Sequence, residues 1–159
     1  MHSGGYVRSN WINFYVSQEI PRIEIVNYQR QMNALAAMAL TVVERGSLVT
    51  MIFGYPGTGK SMAPFALATH LKRTFNLDFS LATISCDRLS LEVKHEYRKE
   101  LIRSLNQFIN EATRHLPALI CFDEIDAIAP QPSDDDSTRK HIILWLLEFL
   151  SRPPDKTLV

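Results

Sequence analysis

The sequence has no excess of charge of either sign: 17 Lys plus Arg balance 17 Asp plus Glu over 159 residues. A chain whose whole surface traps nucleic acid by net positive field is excluded, although a local basic patch is not. No apolar run approaches the roughly 20 residues that a membrane-spanning helix needs. Cysteine is scarce. Cys86 and Cys121 both sit in apolar stretches, which fits buried thiols in a reducing, cytoplasmic setting better than a disulfide. The histidines His2, His70, His95, His115 and His141 are scattered without ligand spacing, so structural or solvated roles are expected for them. There is no internal repeat and no low-complexity tract. What remains is a hydrophobic share of 46% in a chain of one-domain length, enough to bury a core without covalent staples.

Residues 1–28 read as a lead-in, with Met1–Asn10 outside the fold and 11–28 extended against the domain. From Gln29 to Arg45, Met32, Leu35, Ala36, Ala39, Leu40 and Val43 recur at helical spacing, and Gly46 closes that helix. Leu48–Phe53 is a short apolar run, expected to be a strand buried on both faces. A helix follows over Ser61–Arg73, with Pro64 tolerated in its first turn. Phe79–Cys86 reads as a second strand. Leu91–Leu116 reads as one long helix, with Tyr97, Leu101, Leu105, Phe108, Ala112 and Leu116 as its apolar stripe. Ala118–Phe122 is a third strand, Asp134–Asp136 a loop capping a helix over Thr138–Leu150, and Thr157–Val159 the start of another strand. Strands alternating with helices predict a parallel sheet covered on both faces, with ligands at the carboxyl ends of its strands.

Two motifs fall at such ends. Gly54-Tyr55-Pro56-Gly57-Thr58-Gly59-Lys60-Ser61 fits G-x-x-x-x-G-K-[ST] at every fixed position. Gly57 and Gly59 let the backbone turn its amides inward onto phosphate oxygens, and the following helix adds the positive end of its dipole. Lys60 is expected on the β- and γ-phosphates and the Ser61 hydroxyl on magnesium. The nucleotide-binding set is then Gly54, Pro56, Gly57, Thr58, Gly59, Lys60, Ser61 and Met62. The second motif is Leu119-Ile120-Cys121-Phe122-Asp123-Glu124, an apolar strand ending in two carboxylates. Asp123 is expected to hold the metal, usually through its water, and Glu124 to orient and deprotonate the attacking water. The catalytic pair is therefore Glu124 and Lys60, with ATP or ADP and Mg2+ as cofactors.

Gly54–Ser61 together with Asp123-Glu124-Ile125-Asp126-Ala127-Ile128-Ala129-Pro130 resembles the AAA+ ATPases, especially the classical AAA branch. The resemblance runs from about Gln29 to Val159, so 29–159 reads as the nucleotide-binding subdomain. It implies an α/β fold: a three-layer αβα P-loop sandwich with a parallel sheet ordered 5-1-4-3-2. It also implies ATP hydrolysis in a homo- or hetero-hexameric ring, coupled to remodelling of protein complexes, and a structural role for Asp126. The family's fifth strand, polar sensor, arginine finger and helical lid would lie beyond Val159. The chain alone is then expected to hydrolyse ATP weakly or not at all, since an arginine finger supplies several orders of magnitude. Adenine is expected near Ile23, Ile25 or Val26.

The stretch after the second strand, Asp87–Val93, lacks the aromatic and glycine of the threading loop in classical AAA unfoldases. That departure, with the helix Gln29–Arg45 directly before the first strand, keeps open an initiator-type nucleotide switch acting on DNA. A further alternative is an ATP-binding module that assembles a ring without hydrolysis, against which the intact Asp123 and Glu124 speak. The basic start at Lys94, His95, Arg98 and Lys99 reads as a solvated face.

Overall fold

The computed structural model describes residues 10–24, 26–93, 98–128 and 137–159. Its elements in order are β1 (Ile12–Tyr15), α1 (Gln29–Glu44), α2 (Ala63–Phe75), β2 (Ser80–Ser85), α3 (Cys86–Glu92), α4 (Arg98–Ala112), β3 (Ala118–Asp123), α5 (Ser137–Ser151) and β4 (Thr157–Leu158). The expectations that fell on Met1–Ser9, Ile25, Lys94–Tyr97, Ala129–Pro130 and Asp134–Asp136 lie outside the described residues.

Alternation along β2 and β3 builds the layers. Leu81 and Leu119 point to one face, into a cluster with Ala36, Ala39 and Val42 of α1 and Leu67 and Leu71 of α2. Ala82, Ile84 and Ile120 point to the other, against Leu101, Leu105 and Phe108 of α4 and Ile142 of α5. Two helical layers therefore enclose one sheet, as the binary pattern requires. Side chains such as Leu71, Leu81, Leu101 and Leu105 are fully buried.

β2 pairs in parallel with β3 over Ser80↔Ala118 to Ser85↔Asp123, and β3 with β4 over Ala118↔Thr157 and Leu119↔Leu158. Leu48 bridges Leu158 in parallel beyond β4. The first, fourth, third and second strand-forming segments of the predicted core thus lie side by side in that order, which agrees with the family order.

Three expectations need correction. The run Leu48–Phe53 is not a buried strand. Its pairing ends at the bonds Thr50 N to Val159 O (2.7 Å) and Val159 N to Leu48 O (2.9 Å). Met51 and Phe53 are 70% and 84% exposed. A central strand needs backbone neighbours on both sides and a helix over each face; among the described residues the run has no backbone partner in the sheet beyond Thr50, so apolarity alone does not make it a strand. The sheet is also mixed, because β1 from the lead-in pairs antiparallel with β2 over Ile12↔Ile84 to Tyr15↔Leu81. Finally, the long helix expected over Leu91–Leu116 is not one element. Helix α3 begins at Cys86, and α4 ends at Ala112 in tight bonds from Arg114 N to Glu111 O and His115 N to Ala112 O. Leu101, Leu105, Phe108 and Ala112 of the expected stripe are buried, whereas Leu116 is exposed because the chain has turned towards β3.

Candidate nucleotide site

The phosphate-loop motif lies where the chain leaves the sheet. After Thr50 the backbone runs exposed to Tyr55, turns through Pro56–Gly59, makes one 3-10 turn (Lys60–Met62) and enters α2. Gly57 and Gly59 adopt φ of +76° and +83°. An added Cβ at either would meet nothing within 4 Å, so conformation rather than crowding demands glycine there. Lys60 lies back across the loop, its Nζ donating to the carbonyls of Gly54 and Tyr55 at 2.8 Å each. Thr58 Oγ1 donates to the same Tyr55 carbonyl at 2.8 Å. Ser61 is exposed beside it, as are Pro56 and Met62.

The carboxylates follow β3. Asp123 is the last residue of that strand, opposite Ser85 in register. Glu124 comes next with φ of +54°, and its amide donates to Asp123 Oδ1 at 3.1 Å. That conformation is unusual for a side-chain-bearing residue and swings Glu124 off the strand direction. A third carboxylate, Asp87 at the start of α3, follows Ser85, which stands opposite Asp123 in register. Ser85 Oγ donates to Asp87 and holds that carboxyl below its ordinary value. Asp126, in the 3-10 turn Ile125–Ile128, completes the acidic end.

The charge of Asp87, then burial, then Asp123 and Asp126 hold the Glu124 carboxyl above its ordinary value of 4.5. Folding therefore tightens that proton, and the gain is complete below about pH 4.5 and lost as pH rises through the folded-state value. Ionised Glu124 thus costs stability at neutral pH. Glu124→Gln is expected to melt above the unsubstituted protein at about pH 7, with the gap closing towards about pH 4. A thermal-melt series across that range checks it, and a variant that melts lower at neutral pH contradicts the electrostatic account.

The two motifs leave the same end of the sheet. Segment 48–50 runs beside β4, and β4 beside β3. The two segments that carry them are therefore two strand spacings apart, roughly 10 Å at the usual interval. Among the described residues no group of three or more His, Cys, Asp or Glu is placed to hold a metal. The donors present still fit magnesium, which takes oxygen ligands, keeps several waters and borrows phosphate oxygens, needing only one or two protein groups. Ser61 and Asp123 are such groups.

The profile of the "ATPase family associated with various cellular activities (AAA)" matches residues 50–159. The chain belongs to the AAA ATPase family. It is 31% identical over 103 residues to the 26S proteasome regulatory subunit S10B homolog B of Arabidopsis thaliana, covering 64% of this chain and 23% of that protein. It is 30% identical over 103 residues to the 26S proteasome regulatory subunit 4 homolog of Schizosaccharomyces pombe, covering 64% and 21%. With the ATPase family gene 2 protein of Saccharomyces cerevisiae the identity is 34% over 102 residues, covering 63% and 12%. The chain thus spans less than a quarter of the length of the curated relatives it matches.

The residues expected near adenine divide. Ile23 lines a cavity of about 140 Å3 with Met32, Ala66 and Thr69, and its amide donates to Thr69 Oγ1 at 3.2 Å. Val26 is 76% exposed and lines no part of it. The two cysteines are free. Cys86 packs with Ile84 and Ile120, whereas Cys121 follows Ile120 and points to the opposite face, and burial pushes both thiols up to about 12. Helix α3 occupies the stretch where a threading loop was sought, and no aromatic residue is in it. Sequence reasoning missed Asp87 as part of the site, because no motif marks it; only the parallel pairing of β2 with β3 brings it beside Glu124.

Proposed function

We propose that this chain is the nucleotide-binding part of a mechanochemical AAA ATPase, in which Gly54–Met62 holds the phosphates and Asp123 and Glu124 serve the metal and the attacking water. The observation that carries the reading is one AAA module with a glycine turn, a lysine and a carboxylate pair leaving the same end of one sheet. ATP reacts with water to give ADP and phosphate. Lys60 exchanges its two loop carbonyls for β- and γ-phosphate oxygens, which outcompete them as charged acceptors. The loop amides and the start of α2 add a fixed positive field. Glu124 accepts the proton of the attacking water, for which a carboxylate held above its ordinary value is better suited than an ordinary one. Magnesium held by Ser61 and Asp123 would neutralise the charge that develops on the phosphates.

The relatives named for the proteasome support a protein as the remodelled target and a ring as the working assembly. Among the described residues no helix is long and apolar enough to cross a membrane. The test is hydrolysis by the full-length protein in magnesium, alone and with an unfolded model protein or duplex DNA added. Stimulation by the unfolded protein is expected. Stimulation by DNA alone would replace this reading with the nucleotide switch acting on DNA. Hydrolysis that persists unchanged in excess chelator would overturn the assignment of Asp123 and Ser61.

A further inference from the structure

The sheet has two edges. One is β1, a strand of four residues. The other is segment 48–50, bonded to β4 through Leu48 N to Thr157 O (3.1 Å), Val159 N to Leu48 O (2.9 Å) and Thr50 N to Val159 O (2.7 Å). Leu48 and Thr50 spend their backbone groups on β4, so those of Val49 point away from the sheet. An extended continuation gives Met51 and Phe53 the same outward direction. Leu48 packs with α1 and α2. Alternation sends Val49, Met51 and Phe53 to the opposite face, where they are 47%, 70% and 84% exposed. From Gly46 to Tyr55 there is neither a charged residue nor a proline. Natural edges are guarded by charge, proline or brevity. The short β1 meets that rule, and this edge does not. The exposed Leu144 and Leu147 of α5 make a lesser patch: helix backbone is spent within the helix, and Lys140 and Glu148 flank the leucines.

We propose that this edge is a self-association surface: two copies of the chain pair antiparallel along 49–53 about a two-fold axis at Met51, joining their sheets into one. A two-fold axis normal to the sheet makes the edge strands antiparallel. It sets Met51 opposite itself and Val49 opposite Phe53. With those residues facing outward, the pairing forms about six backbone hydrogen bonds. Phe53 then meets the β-branched Val49 twice on one face, a cross-strand pair that stabilises antiparallel strands. A neutral run meets its own copy without repulsion, and this complementarity of the run to itself selects a second copy as its partner. None of the three outward residues belongs to the nucleotide-binding set.

The test is sedimentation equilibrium of residues 1–159 over about 1 to 200 µM, the range in which a small interface dissociates. A monomer–dimer equilibrium is expected. Met51→Lys, at an exposed position, sets two ammonium groups opposite each other and is expected to weaken the dimer by roughly 10- to 100-fold, while cooperative melting persists. Leu144→Lys leaves the dimer unchanged. Two double variants read the register. Val49→Lys with Phe53→Glu brings opposite charges together in this pairing and retains the dimer, whereas Val49→Lys with Phe53→Lys abolishes it. A chain that stays monomeric throughout, a dimer that survives Met51→Lys, or loss of the dimer in Leu144→Lys overturns the proposal. So do species that grow beyond the dimer, and a dimer that responds alike to the two double variants.

Discussion

Glu124→Gln in the full-length protein lowers ATP hydrolysis by about 100- to 10,000-fold, the range general-base catalysis commands, and leaves magnesium–ATP binding intact. The amide keeps the size of the side chain and its place after Asp123 but cannot take a proton. It also removes the charge that Asp87, Asp123 and Asp126 oppose, so the variant is expected to hold nucleotide at least as long as the unsubstituted protein. Single-turnover rates set beside equilibrium titration separate the two effects. A variant that loses binding and hydrolysis together would mean that Glu124 supports the loop rather than the water.

Lys60→Ala acts on the other half of the site. The ammonium now satisfied by the Gly54 and Tyr55 carbonyls lies across the glycine turn. Without it, the amides and the helix end must hold the triphosphate alone. At ATP a hundredfold above the dissociation constant, bound ligand adds about 2.7 kcal/mol of stability; the variant is expected to lose nearly all of that increment. Its fold should persist, because Lys60 is partly exposed and outside both core clusters. Retention of the full increment would show that the nucleotide does not use this loop.

These expectations were legible in the sequence to different depths. The glycine turn and the Asp123–Glu124 pair are spelled by local chemistry, since φ above zero and a charged strand end each admit few residue types. Helices α1, α2 and α5 and strands β2 and β3 follow from periodicity, because each buries a face that its own residues define. Leu48–Phe53 misleads for the opposite reason. Its apolarity speaks of being covered, but covering is supplied by neighbours that the run itself does not encode, and Met51 and Phe53 remain exposed. β1 was hidden because four residues carry little period, and an antiparallel partner 72 residues away (Ile12↔Ile84) leaves no local mark. Asp87 was hidden likewise. Nothing in Cys86-Asp87-Arg88 marks a site residue until parallel pairing sets Ser85 against Asp123 and brings the Asp87 carboxyl up to Glu124.

The most direct measurement is a titration of residues 1–159 with ATP, with magnesium and with chelator, followed by calorimetric heat and melting temperature. The account predicts saturable, magnesium-strengthened binding with a melting temperature that climbs with ATP concentration. A cooperatively melting protein that takes up no nucleotide at millimolar ATP would contradict it.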